Sequence, residues 1–168
     1  SLFVGWASYI NPGKAELTLG FMIPTVLAVI IGGGTFTGSM VAYLKLAEKI
    51  DGKAKILPGQ KVISFALIAA ALAASYWICT HPDSDKAWDP SMLVLIAVSF
   101  VMGVLAVMPI GGADMPVVIS LLNSYSGMAA CAAGFIIQNT VLIVSGALVG
   151  ASGIILSFIM CKAMNRSL

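Results

Sequence analysis

The stretch Ile110-Gly111-Gly112-Ala113-Asp114-Met115-Pro116 sets one carboxylate in a tight glycine turn. The apolar run after it, Val117 to Gly134, carries Ser120, Asn123, Ser124, Tyr125, Ser126 and Gly127. These residue types suit the handling of protons or ions. A carboxylate can bind a cation or take a proton, and an amide or hydroxyl donates and accepts hydrogen bonds at once. Each is costly in apolar surroundings unless it finds a partner, so the elements around them decide what they do.

Those surroundings are a membrane. Of 168 residues, 60% are hydrophobic and 10% charged, with a mean hydropathy of +1.02, whereas a soluble domain carries about 25% charged residues. A net charge of +2 is too small to suggest a nucleic-acid partner, and there is no Lys/Arg cluster with interleaved aromatics. Cys79, Cys131 and Cys161 fall in or beside apolar runs at no metal-like spacing and read as packed thiols. His81, the single histidine, sits in a polar loop whose aspartates do not follow the spacing of a calcium loop.

The fold class expected is all-α and integral to the membrane: four complete transmembrane helices plus the tail of a preceding one, part of a larger helical bundle. Laid out by residue number, the spans are 1–10 (partial), 19–46, 62–79, 91–110, 116–137 and 141–160, which makes five after the partial one. The partial span is expected to be the end of a helix that begins upstream, and the chain to be a piece of a larger protein. The short Gln138-Asn139-Thr140 connection makes the last two spans an antiparallel hairpin. Gly34 and Gly38, in the glycine-rich middle of the 19–46 span, allow a neighbouring backbone to approach closely.

Alternating the spans across the bilayer puts Lys45, Lys49, Lys53, Lys55, Lys61, Lys162 and Arg166 on one side and Lys14 and Lys86 on the other. This positive-inside bias places the Asp114 turn on the cytoplasmic or matrix side. The acids Glu16, Asp83, Asp85 and Asp89 collect opposite, beside Trp88.

On the 116–137 span, Ser120, Asn123 (with Ser124), Gly127, Ala130 (with Cys131) and Gly134 recur at three- and four-residue spacing. On the last span Gly146, Gly150, Gly153 and Ser157 do the same, with Ser152 alongside. Packed face to face, the two stripes would bury Asn123 and the serines between helices. Asn123 then has two readings, interhelical glue or an element of a proton or ion path, and the pattern favours glue slightly. No Asp, Glu, Lys or Arg stands at mid-depth in any complete span, where a self-contained pump would hold one. Asp114 likewise has two readings: an N-cap ahead of Pro116, or a charge presented to a partner.

Gly111-Gly112-Ala113-Asp114-Met115-Pro116-Val117-Val118 followed by Leu122-Asn123-Ser124-Tyr125-Ser126-Gly127 closely resembles the membrane domain (domain II) of the beta subunit of proton-translocating NAD(P)+, or nicotinamide nucleotide, transhydrogenase. Gly146-Ala147-Leu148-Val149-Gly150, Met160-Cys161-Lys162-Ala163-Met164-Asn165-Arg166-Ser167 and Thr35-Phe36-Thr37-Gly38-Ser39 are similar to further segments of it. The resemblance implies a membrane domain that conducts the protons coupled to hydride transfer between NAD(H) and NADP(H), both held on other domains, with no cofactor bound by this stretch. It implies a proton path through Asn123, Ser120 and Ser124. It also implies an interface to the NADP(H) domain at Asp114, Gly111, Gly112 and Arg166, and a coupling segment at Gly150, Ser152 and Gly153. The implied partners are the lipid bilayer, an NADP(H)-binding domain following Leu168, an NAD(H)-binding subunit, the remaining transmembrane helices and a second copy of the whole complex. The implied location is the bacterial cytoplasmic membrane, or the mitochondrial inner membrane as alternative.

Three positions depart from the family pattern. Met128 stands where a tryptophan is common, and Ala151 replaces a serine in the last span. The histidine that many members carry near a segment like Ser1-Leu2-Phe3-Val4-Gly5 is absent from that stretch. Two other classes compete, half of a secondary transporter and a structural membrane anchor. A transporter would be marked by an internal repeat, and none is visible.

Overall fold

The structure, a computed structural model, describes residues 1–10, 19–51, 53, 59–80 and 90–165. The chain is built of α1 (Leu2–Ile10), α2 (Leu19–Leu46), α3 (Gln60–Thr80), α4 (Pro90–Val107), a 3-10 turn (Gly112–Asp114), α5 (Met115–Ile136) and α6 (Thr140–Ala163). It is an all-α membrane protein. The helices α2 to α6 are long and apolar enough to cross a bilayer, so the count among the described residues is the five given by residue range, not four. Lys14, Glu16, Lys55, His81, Asp83, Asp85, Lys86, Trp88, Asp89 and Arg166 lie outside the described residues.

Local chemistry sets the helix ends that matter for the site. α4 stops at Val107, three residues short of the expected Ile110, because Pro109 has no N–H to give and disfavours helical geometry at Met108. Beyond α5, Gln138 takes a left-handed φ of 55°. The Asn139 side chain then accepts from Leu142 N at 3.2 Å and caps α6. That tight reversal makes α5 and α6 an antiparallel pair with an extensive interface.

α2 is the hub of the bundle, packing against α1, α4 and α5, while α3 lies on α4. Its 28 residues extend about 42 Å at ~1.5 Å per residue, more than the ~30 Å of hydrocarbon it must cross. Apolar packing gathers at the two ends of the bundle. Tyr9, Met22, Val29, Ile78, Met92 and Leu95 fill the end that holds Thr80 and Pro90. Ala42, Val107, Met115 and Val118 fill the end that holds the 3-10 turn.

Between these cores the helices cross on small residues. A Cβ on Gly103 of α4 would collide with Gly34 O and Thr37 Oγ1 of α2, and one on Gly33 would collide with Ser99 Oγ. The backbone approach expected at Gly34 is present, but Gly103 is the residue that permits it. A Cβ on Gly34 itself would rest in ordinary contact, 3.6 Å from Ser99 O. Thr37 Oγ1 donates across the crossing to Phe100 O at 2.9 Å.

Candidate functional site

The hairpin face is built as the glycine and serine spacing implies. Ser124, Gly127 and Gly134 of α5 and Gly146, Gly150, Gly153 and Ser157 of α6 are buried. A Cβ on Gly127 would stand 2.6 Å from Gly150 N, and one on Gly146 would stand 2.5 Å from Cys131 N, so the two backbones touch. Across this contact Ser124 Oγ donates to Gly150 O at 2.5 Å and Ser120 Oγ to Gly153 O at 3.4 Å. Ser157 Oγ donates within α6 to Gly153 O at 2.8 Å. These hydroxyls hold helices together.

Asn123 is not among them. The expectation that it lies buried between α5 and α6 is corrected, for its side chain is exposed. With about 100° per residue, position 123 falls some 60° from Ser120 and 100° from Ser124, at the margin of the stripe, and the neighbouring helix covers only the stripe's centre. Ser152 is exposed as well, its hydroxyl donating to Val149 O at 3.1 Å on its own helix. The structure therefore brings Ser120 and Ser124 together with Gly150 and Gly153, and leaves Asn123 and Ser152 facing outward.

The flank that carries Asn123 also carries Ser126, exposed one turn further on, with its Oγ donating to Leu122 O at 3.0 Å. Ser126 lines an open groove of about 500 Å³ together with Leu2 of α1, Thr35, Ser39 and Met40 of α2, and Phe100 of α4. The groove is open at membrane depth and mostly apolar, with hydroxyls from Thr35, Ser39 and Ser126 at its walls.

At the end of α5 the turn residues take their places. Gly111 is extended (φ −74°, ψ 157°), and Asp114 N donates to Gly111 O at 3.1 Å to close the 3-10 turn. Asp114 stands at the N-cap position of α5, but with helical backbone angles (φ −95°, ψ −1°) and no side-chain cap hydrogen bond. Capping needs extended geometry there, so that the side chain can reach back to the first free N–H groups. The capping role is thereby corrected. Gly112 borders an open cavity of about 400 Å³ with Lys45, Leu46, Glu48, Ile50 and Asp51.

Lys45 is the residue that sequence reasoning missed, having entered it only as one positive charge among nine. It is 2% exposed, and its Nζ donates to Met108 O at 2.6 Å, Ile110 O at 2.9 Å and Val107 O at 3.3 Å. Nothing local could have marked these partners, which lie 62 to 65 residues away in the chain. Their position, at the end of α4 next to the turn, also puts Lys45 at the same end of the bundle as Asp114, where the basic-residue count had put it. Cys79, Cys131 and Cys161 are free thiols. Among the described residues no group of three or more His, Cys, Asp or Glu side chains could hold a metal ion.

Fold and site together define a multi-pass helical membrane protein with polar groups set along one flank of a membrane groove and a carboxylate turn at its end. The family model described as NAD(P) transhydrogenase beta subunit matches residues 1–168, and the chain belongs to that family. Two relatives described as NAD(P) transhydrogenase subunit beta, one from Rhodospirillum rubrum and one from a named strain of that species, are each 44% identical over 174 aligned positions. The alignment covers the whole of this chain and 36% of each relative, so the chain spans about a third of their length.

Proposed function

We propose that this chain is the proton-conducting membrane domain of a transhydrogenase, coupling proton movement to hydride transfer between NAD(H) and NADP(H) bound on separate soluble domains. In this reading the stretch itself binds no nucleotide. The NADP(H) domain follows Leu168 and meets the Gly111–Asp114 turn and Arg166, while the NAD(H) subunit, further transmembrane helices and a second copy complete the complex. Its location is the bacterial cytoplasmic membrane, with the mitochondrial inner membrane as the alternative.

The observation that carries the reading is the exposure of Asn123 beside engaged serines. An amide meant as glue between α5 and α6 would sit where the serines sit. One left outward on a spanning helix must meet another polar group or water, since hydrocarbon offers it no partner. Membership of the transhydrogenase beta-subunit family supports reading the species that passes such a group as a proton, and the hydroxyls of Ser126, Ser39 and Thr35 lining the adjoining groove give the flank its polar continuation. Gly150, Ser152 and Gly153 are read as the coupling segment on the family resemblance; Gly150 and Gly153 accept the serine hydroxyls, and Ser152 is exposed.

The test is Asn123→Ala in the full enzyme reconstituted in vesicles. Interhelical polar contacts average only about 0.6 kcal/mol, so the variant is expected to assemble. Proton-coupled turnover is expected to fall by roughly tenfold, equivalent to about 1.4 kcal/mol of barrier, while uncoupled hydride transfer on the soluble domains is kept. Coupled and uncoupled rates both at wild type would return Asn123 to a structural role.

A further inference from the structure

We propose that Lys45 is a positioning residue: its ammonium fixes the path of the Gly111–Asp114 turn and ties that turn to α2, the helix that also walls the membrane groove. The inference rests on the reading of the turn as the face met by the NADP(H) domain.

A buried ammonium is expensive unless each of its three N–H groups is satisfied. At Lys45 three carbonyls meet the requirement, those of Val107, Met108 and Ile110. The carbonyls of Val107 and Met108 stand where α4 ends, past the last i+4 partners of the helix and at the negative end of its dipole, and that of Ile110 follows beyond Pro109. The N–H groups of the same segment turn inward, Met108 N donating to Val104 O at 3.1 Å and Ile110 N to Val107 O at 3.2 Å. The carbonyls are thus held outward and presented to α2.

Closing off α4 would not by itself require this arrangement. Val107 and Met108 lie at the helix end, but Ile110 lies beyond Pro109, in the irregular segment whose next residue is Gly111. A cation bridging both sides of the proline fixes the direction in which the chain leaves α4, and therefore where the turn closed by Asp114 N and Gly111 O stands. Ala42 of α2 packs with Val107, Met115 and Val118, so the same end of α2 holds the segments on both sides of the turn, the one before it by polar contact and both by apolar contact. Beside it, Lys45 and Gly112 share the wall of one open cavity.

The opposite consequence runs along α2. Ser39 and Thr35, which line the groove with Ser126, precede Lys45 on the same unbroken helix, Ser39 by roughly 9 Å of helix axis at ~1.5 Å per residue. A displacement of the turn that travels through the 107–110 segment and keeps the three hydrogen bonds must carry α2 with it. One that leaves α2 in place must break them. Lys45 therefore decides whether the turn and the groove wall move together.

The experiment uses the complete transhydrogenase in vesicles with Lys45→Met, Lys45→Gln and Lys45→Arg, reading amide hydrogen exchange over residues 108–116 alongside the KM for NADP(H) and the ratio of coupled to uncoupled turnover. Lys45→Met is expected to speed exchange in that segment at least tenfold. It should also raise the KM for NADP(H) or lower the coupling ratio at least fivefold, with Lys45→Arg recovering most of both. Exchange within twofold of wild type would overturn the proposal. Should Lys45→Met fail to assemble, Lys45→Gln, whose amide can serve two of the three carbonyls at most, is held to the same criterion. Faster exchange with unchanged KM and coupling would also overturn it, leaving Lys45 as a structural cap and removing support for the turn as a nucleotide-domain face. That pattern is distinct from failure of the Asn123→Ala test, which bears on the proton path alone.

Discussion

Gly153 of α6 faces Ser124 of α5 so closely that a Cβ on the glycine would stand 2.7 Å from Ser124 Cβ and 3.0 Å from its Cα. Backbone and a buried serine cannot yield as the tip of a long side chain can. Gly153→Ala is expected to force the hairpin apart locally at a cost of about 1–3 kcal/mol, and Gly153→Val at more. The measurement is thermal stability of the full enzyme in detergent, with loss of the Ser124 to Gly150 and Ser120 to Gly153 hydrogen bonds following from the separation.

Ser152, the next residue along, separates packing from function. It is exposed and its hydroxyl bonds only its own helix, so far as the described residues show. Ser152→Ala is expected to leave stability within about 0.5 kcal/mol, the usual range for surface changes. If the coupling segment is assigned correctly, the same variant lowers coupled turnover. Unchanged coupling in a fully assembled enzyme would restrict the segment to Gly150 and Gly153.

Asp114 makes no capping hydrogen bond to α5, so Asp114→Asn takes no cap from that helix. Its effect is expected in NADP(H) affinity or in the pH dependence of coupled turnover, measured on the full enzyme, with helix content by circular dichroism unchanged. An enzyme unaltered in both affinity and pH profile would exclude the carboxylate from the domain interface.

At the α2–α4 crossing two glycines give opposite expectations. Gly103→Ala drives a Cβ into Gly34 O and Thr37 Oγ1, whereas Gly34→Ala places one 3.6 Å from Ser99 O. The first is expected to cost about 1–3 kcal/mol. The second is expected to be neutral or mildly stabilising, since alanine favours helix by about 1 kcal/mol over glycine. Comparing the unfolding midpoints of the two variants in one detergent decides it.

What was legible in the sequence is what depends on local pattern. Hydropathy runs located the spans, and residues spaced three and four apart located the glycine and serine faces of α5 and α6. Asn123 escaped because a stripe defined by spacing alone has a margin, and only the width of the opposing helix decides which side of it a residue falls on. Of the two readings of Asp114, the cap rests on aspartate before proline, which marks a cap in an isolated helix. The 3-10 turn ahead of it instead puts its backbone in helical geometry. Lys45 escaped for a third reason: its acceptors belong to another helix end, created by Pro109 and brought to it only by folding.

The reversal between α5 and α6 has a consequence for how the protein enters its membrane. The two helices are joined by a connection of a few residues, and their glycine faces meet backbone to backbone with the Ser120 and Ser124 hydroxyls already bonded across the contact. Such a pair can partition into lipid as one unit, carrying its own partners for those polar groups. The outward amide of Asn123 is then left for whatever helix or water arrives later.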